Sequence, residues 1–314
     1  MKIVFQYDPS PRLAARLQRL STDGIEIVPC PEQDFERFAA LMASADALFH
    51  VLRPITAEII AASPRLKLIQ KIGVGVNTID LDAARRRGVK VANMPGTNTR
   101  AVAELALLLM LAALRRVPTC DAATRRGDGW RLDPALFDGL GELGGRTVGL
   151  IGYGAVARML TPMLRALGAR VLYTSRRRTA GSGAEWRSRE ALLAESDIVS
   201  LHLPLTPETE AMIDGAAIAA MKDGAVLVNT ARGGLVDEAA LVAALAGGKL
   251  RAAALDVFVC EPVEPDNPLL ALENTVVMPH VAWLTPETLE RSLGIALDNC
   301  RRLRRGEEIR FRVA

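Results

Sequence analysis

The sequence predicts an α/β protein made of two domains with parallel sheets. Three observations carry this. Short β-branched runs alternate with helical patterns along the whole chain, the alternation breaks once after residue 92, and it restarts at Arg146 on a glycine loop that follows a strand and opens a helix. A length of 314 residues, half of them hydrophobic, suits one large or two medium domains.

Taken in order, Lys2–Tyr7 reads as a strand, Pro11–Leu20 as a helix and Gly24–Val28 as a strand. A helix follows near Glu32–Ala40, then a strand at Ala47–Val51 and a helix at Thr56–Ala62. Leu66–Ile72 and Val89–Ala92 are strands around a helix at Leu81–Arg87. The Pro/Gly/Asn cluster 93–98 ends this set. A long helix, Thr99–Arg116, comes next; its apolar run Leu105–Leu114 reads as buried on all sides, and 118–145 reads as irregular. Strands are then expected at Thr147–Ile151, Arg170–Thr174, Ile198–Leu201, Ala225–Val228, Ala252–Leu255 and Thr275–Met278, and a last helix at Pro286–Arg305. This helix is placed to return to the first domain.

Composition narrows the function. Lys plus Arg is 39 and Asp plus Glu is 36, so the net charge of +3 gives no footprint for nucleic acid. The ten-residue apolar run is far short of a membrane span, and no signal-peptide core stands at the N-terminus, so no membrane partner and a cytoplasmic location are expected. Cys30, Cys120, Cys260 and Cys300 are widely spaced, which suggests neither a metal site nor a disulfide framework. Only His50, His202 and His280 can serve as a neutral-pH acid or base.

The glycine loop runs Gly152-Tyr-Gly154-Ala155-Val156-Ala157. Gly152 permits the tight turn, Gly154 lets backbone approach a pyrophosphate, and Ala157 lets helix and strand pack closely. Phosphates would sit on the helix N-terminus, where unpaired amides favour negative charge. The next strand ends Thr174-Ser175-Arg176-Arg177, with no acid for a ribose 2′-hydroxyl before Glu185. Ser175, Arg176 and Arg177 suit a 2′-phosphate instead, so NADP (as NADPH) is favoured, with NAD possible.

Three polar segments follow strands of the second domain: Asn229-Thr-Ala-Arg232-Gly-Gly-Leu-Val-Asp-Glu238, Leu255-Asp256-Val-Phe-Val-Cys-Glu261-Pro262 and Met278-Pro-His280-Val-Ala-Trp283. Ligands of open α/β sheets bind at this strand edge. With the glycine loop, and in this order, these motifs make the whole chain resemble the D-isomer-specific 2-hydroxyacid dehydrogenases, of the glyoxylate/hydroxypyruvate reductase kind. The resemblance implies two Rossmann-like domains: a flavodoxin-like substrate domain, 1–96 with 285–314, and a dinucleotide-binding domain, 97–284.

It also implies roles. Arg232 is expected to bind the substrate, His280 to act as acid/base and Glu261 to be its partner. Pro204, Thr209, Thr230, Ala231, Asp256 and His280 are expected along the cofactor, and Val74, Gly75 and Trp283 along the substrate. The chemistry is coherent. A planar guanidinium fork matches a 2-keto acid's carboxylate and carbonyl, and an imidazolium can protonate the alkoxide that hydride addition leaves. A wall formed by Trp283 would favour small substrates.

His202 reads as structural or cofactor-proximal and His50 as core. Lys71 reads as a solvated lysine, with contact to a distal acidic group of the substrate as the other reading. Asn77 departs from the Asp common in the family at that place. The expected activity is reduction of a small 2-keto acid to the D-2-hydroxy acid. The alternatives are an NAD-dependent dehydrogenase of 3-phosphoglycerate or phosphite, or a dinucleotide-sensing protein of the corepressor kind. The resemblance further implies a homodimer through the cofactor domain, with Trp130 and Leu136 as anchors.

Overall fold

A computed structural model describes residues 1–314. The chain divides into two compact units, Met1–Asn98 with Thr285–Ala314, and Thr99–Leu284.

The first unit alternates β1 (Lys2–Gln6), α1 (Pro11–Leu20), β2 (Glu26–Cys30), α2 (Phe35–Met42), β3 (Ala47–His50), α3 (Ala57–Ala61), β4 (Leu68–Lys71), α4 (Leu81–Arg86) and β5 (Lys90–Ala92). The strands pair in parallel in the order β2-β1-β3-β4-β5, the flavodoxin-like arrangement. Local chemistry sets the helix starts. Ser10 accepts the Leu13 amide with Pro11 in the first turn, and Asp34 and Asp80 cap α2 and α4. Val4, Leu48, Ile69 and Val91 stand in register and pack with Phe38, Met42, Ile60 and Ala83 of the helices. The C-terminal helix, Pro286–Arg304, belongs to this unit: its buried Asn299 donates to Gln70 Oε1 at 2.6 Å.

The second unit opens with α5 (Thr99–Leu114), α6 (Val117–Arg125) and α7 (Pro134–Asp138). It continues with β6 (Thr147–Ile151), α8 (Ala155–Ala166), β7 (Arg170–Thr174), β8 (Glu185–Trp186), α9 (Arg189–Glu195) and β9 (Ile198–Leu201). Then come α10 (Gly215–Ala220), β10 (Ala225–Asn229), α11 (Glu238–Ala246), β11 (Leu250–Leu255), α12 (Pro268–Ala271) and β12 (Thr275–Val277). All seven strands are parallel, in the order β12-β11-β10-β9-β6-β7-β8, a Rossmann-like sheet whose order reverses between β6 and β9. Both faces are covered. Val226 and Val228 of β10 join the core under α5 and α8, while Ala225 and Leu227 join the core under α9, α10 and α11. Double coverage explains why these strands are apolar runs without alternation.

Two expectations for this unit are corrected. The helix α5 is not buried on all sides: Ala106, Leu109, Met110 and Ala113 enter the core, but Leu108 is 57% exposed. Its apolar run exceeds what one sheet face can cover. The segment read as irregular holds α6 and α7. Pro118 and Pro134 stand in the first turns, Asp133 caps α7, and the Asp121–Arg125 pair, one turn apart, supports α6. No helix of the chain is long and apolar enough to cross a membrane.

Candidate active site

The three polar segments meet at the carboxyl ends of β10, β11 and β12. Asn229, the last residue of β10, is buried and folds the chain back on itself. Its Nδ2 donates to Arg232 O at 2.8 Å, and its Oδ1 accepts the Ala231 amide at 3.0 Å. Gly233 then passes directly against the next loop: a Cβ there would fall 1.9 Å from the Phe258 carbonyl carbon. Only glycine lets the two loops approach this closely, and the approach sets Arg232 within electrostatic reach of Glu261. The Arg232 Nη1 donates to Ala231 O at 2.6 Å. Burial pushes the guanidinium below its ordinary value and Glu261 opposes this, so the group stays cationic.

Glu261 accepts the Phe258 amide at 2.9 Å through Oε1, and its Oε2 lies 2.5 Å from His280 Nδ1. Burial raises this carboxyl's pKa, but the hydrogen bond and charge of His280, the Phe258 amide and Arg232 outweigh it, and the net direction is down. The pair is accessible, with side chains 17% and 29% exposed for His280 and Glu261. His280 has φ +55°, in the left-handed region. Its neighbours enforce that backbone: its amide donates to Asp256 O at 2.8 Å, and the Val281 and Ala282 amides donate to the two Asp256 carboxylate oxygens, each at 2.9 Å. Glu238 steadies the same edge by accepting the Val259 amide at 2.6 Å and Asn267 Nδ2 at 3.2 Å.

The glycine loop lies at the strand-order reversal. Gly152 has φ +89°, and a Cβ there would fall 2.4 Å from His202 O, so the turn needs glycine on both counts. Gly154 is the cap residue of α8, with no side-chain cap bond and open space where a Cβ would stand. The first amides of α8, from Ala155 and Val156 on, are therefore left to an incoming anion. The Thr230 hydroxyl, 8% exposed as a residue, has no hydrogen-bond partner within the protein. An open helix start and an orphaned hydroxyl on one sheet edge fit a dinucleotide.

The family description "D-isomer specific 2-hydroxyacid dehydrogenase, NAD binding domain" matches residues 107–282. The chain belongs to the D-isomer-specific 2-hydroxyacid dehydrogenase family. It is 42% identical to a glyoxylate reductase of Aeropyrum pernix over 84% of this chain and 82% of that protein. It is equally identical to a D-3-phosphoglycerate dehydrogenase of Mycobacterium tuberculosis over 86% of this chain, spanning only about half (51%) of that relative. The structure superposes on the TT0316 protein of Thermus thermophilus with a TM-score of 0.90 and 37% identity, covering 100% of both chains.

The remaining expected residues fall into distinct groups. Thr174 ends β7, next to β6. Ser175 turns its hydroxyl to Arg177 O at 2.5 Å, while Arg176 and Arg177 are exposed and form no ion pair. Glu185, the first acid beyond Thr174, is held by Arg170 and Arg187, each at 2.8 Å, which pulls its pKa to about 2. It is thus committed to a surface ion network. Pro204 is exposed, and the Thr209 hydroxyl serves its own loop, accepting the Thr206 amide at 2.8 Å and reaching Pro204 O at 2.9 Å. Ala231 is half-buried beside Thr230. His202 bonds Ser200 Oγ through Nε2 at 3.0 Å, and burial lowers its pKa to about 4. Trp283 is 8% exposed at the end of the His280 segment.

Two readings change. Asp256, expected along the cofactor, is fully buried with both carboxylate oxygens taken by the amides behind His280, so it positions the imidazole's backbone. Burial raises its pKa against the pull of those amides. In the first unit, Val74 is 44% exposed and Gly75 half-buried on the loop after β4, but Lys71 is not solvated. It is 5% exposed, and its ammonium donates to Val51 O. The positioning roles of Asn229 and Glu238 escaped sequence reading. The only signal was a polar residue ending an apolar strand or opening an Ala-rich helix.

Proposed function

We propose that this chain is an NAD(P)-dependent oxidoreductase that reduces a small 2-keto acid, of the glyoxylate/hydroxypyruvate class, to the D-2-hydroxy acid. One observation carries the reading: a carboxylate-paired imidazole, accessible to solvent, shares a strand edge with a buried guanidinium. Arg232 binds the substrate carboxylate and polarises its carbonyl. A nicotinamide cofactor, when bound, supplies the hydride. His280, as imidazolium, gives its proton to the developing alkoxide, and in the oxidative direction the neutral ring takes the hydroxyl proton. Glu261 fixes the ring's orientation through its bond to Nδ1.

The second unit is the cofactor domain in this reading, and the first, with Val74 and Gly75, the substrate domain. Gly152, Gly154, Ala155, Val156 and Thr230 hold the dinucleotide. NADPH is preferred because no free acid follows Thr174 and because Arg176 and Arg177 carry unpaired charge. Trp283 limits the substrate to small acids. A homodimer through the second unit suits Trp130, 89% exposed, with Phe137 and Leu108 also exposed, while Leu136 is half-buried. Four free thiols suit a reducing, cytoplasmic setting. The alternative substrate, 3-phosphoglycerate, has support from the mycobacterial relative; the burial of Lys71 speaks against that residue as a phosphate ligand.

A matrix of glyoxylate, hydroxypyruvate, phosphohydroxypyruvate and phenylpyruvate against NADH and NADPH tests the reading. The expected result is the highest kcat/KM for glyoxylate or hydroxypyruvate with NADPH. Turnover confined to the phosphorylated acid would replace the substrate. Cofactor binding with no turnover of any 2-keto acid would favour a dinucleotide sensor.

A further inference from the structure

At the opposite edge of the second unit's sheet, where the strands begin, three arginines stand close to one another with no ion pair. Arg116 follows the end of α5, Arg146 precedes β6, and Arg251 is the second residue of β11. The turn at Gly141 brings Arg146 and Arg251 together, and Arg116 lies near enough to Arg251 for their charges to interact. The Gly141 amide donates to Leu114 O at 2.9 Å, which ties the turn to the end of α5. Arg146 Nη2 and Arg251 Nη1 converge over it, 2.4 and 3.2 Å from where a Cβ at Gly141 would stand.

None of the three forms an ion pair, whereas Arg170 and Arg187 of the same unit are paired with Glu185 and Glu195. Arg251 Nη1 and Arg116 Nε are buried donors with no hydrogen-bond partner. Arg146 Nε reaches only the backbone carbonyl of Glu142, at 2.6 Å, and the Glu142 side chain is exposed. Asp197 feels Arg146, but its oxygens are already bonded to the Thr147 amide at 2.7 Å and to Lys222 at 3.0 Å. Burial and the charges of Arg146 and Arg116 together press Arg251 below its ordinary value. Like charges gathered around unmet buried donors are unfavourable unless an anion completes them.

We propose that Arg116, Arg146 and Arg251 form a binding site for a small, multiply charged oxyanion of the phosphate or polycarboxylate class. Planar guanidinium forks match the paired oxygens of such an ion, and converging forks favour a charge of two or more. The site is distinct from the catalytic edge. β11 runs from Arg251 to the strand end before Asp256, so roughly 15 Å of strand separates them.

The test uses the full chain saturated with NADP⁺, so that the glycine loop and the Arg176–Arg177 loop are filled. Inorganic pyrophosphate and citrate are titrated at constant ionic strength, with chloride as control, and the thermal midpoint and binding isotherm are read. A saturable rise in Tm is expected for the wild type. Arg251→Gln should weaken that binding at least about tenfold, the effect of losing one charge-assisted fork. Without oxyanion, Arg251→Gln should leave Tm unchanged or raise it, since one of three like charges is gone. Arg146→Gln should repeat the pattern and stands in if the first variant does not fold. An identical isotherm in wild type and both variants would overturn the proposal, as would the absence of a saturable response to either anion. Variants that dissociate an assembly on gel filtration with no oxyanion response would assign the arginines to an interface between copies, and would also overturn it.

Discussion

The carboxyl edges of the two sheets make an informative contrast. Each carries a histidine beside a charged neighbour. In the first unit β3 ends at His50 and β4 at Lys71, which stand in register. His50 is wholly buried, its Nε2 donates to Arg53 O at 2.6 Å, and burial together with the Lys71 charge holds its pKa well below the ordinary value. In the second unit His280 has a carboxylate for a neighbour and reaches solvent. A neighbouring cation and a dry site disfavour the charged form of His50, whereas His280 has an anion beside it and an open face. The sign of the neighbour and the access to solvent, more than the presence of histidine, distinguish the two rings.

The sharpest break of this contrast is at His280. His280→Ala should lower kcat for 2-keto acid reduction by a factor on the order of 10² to 10⁴. Glu261→Gln should cost less, because an amide oxygen at the same place can still accept from Nδ1 and hold the ring. Steady-state rates across pH check both, and an unchanged kcat in His280→Ala would remove the imidazole from the chemistry.

The reciprocal substitution, His50→Leu, should leave turnover essentially intact. It should lower unfolding free energy by about 1–3 kcal/mol, because the Arg53 carbonyl loses its donor. Urea denaturation together with kcat measures this. A collapse of turnover in a stable His50→Leu protein would erase the distinction between the two edges.

The smallest effect is on the pH dependence of stability. His50 and His202 both have folded pKa values below 6.5, with His202 at about 4. Their neutral forms are favoured in the fold, so below the unfolded pKa the unfolded chain binds more protons. This part of the stability is complete above pH 6.5 and is lost as pH falls toward 4. His202→Gln should flatten the slope in that window, and an unchanged slope would show that the ring is not held neutral.

Much of this was legible in the chain. Asp and Ser caps, prolines in first turns and apolar runs are local signals, and strands such as Thr147–Ile151 and Arg170–Thr174 follow from them directly. The arm at 117–138 was less legible, because α6 and α7 rest on caps and an ion pair and bury almost no apolar face. At the site, the residue types were visible but not all of their duties. Asp256 and Glu238 looked like members of motifs, yet they work as acceptors for backbone amides distant in sequence.

The sequence by itself determined the main strands and helices of both units and the glycine turn that only Gly152 can make, and the order of its motifs pointed, through the family resemblance, to Arg232, Glu261 and His280. The elements and the turn depend on residue type and short spacing, which local sterics and hydrogen bonding read directly. Tertiary structure alone decided which polar groups reach solvent and which are sealed: Lys71 buried on a backbone carbonyl, Asp256 locked behind His280, and Arg146 and Arg251 converging over Gly141. Parallel pairing joins residues far apart in the chain, as β11 and β12 bring His280 onto Asp256 and Glu261. Burial and electrostatic neighbours therefore follow from the packing of whole strands, a long-range property that no short window of sequence contains.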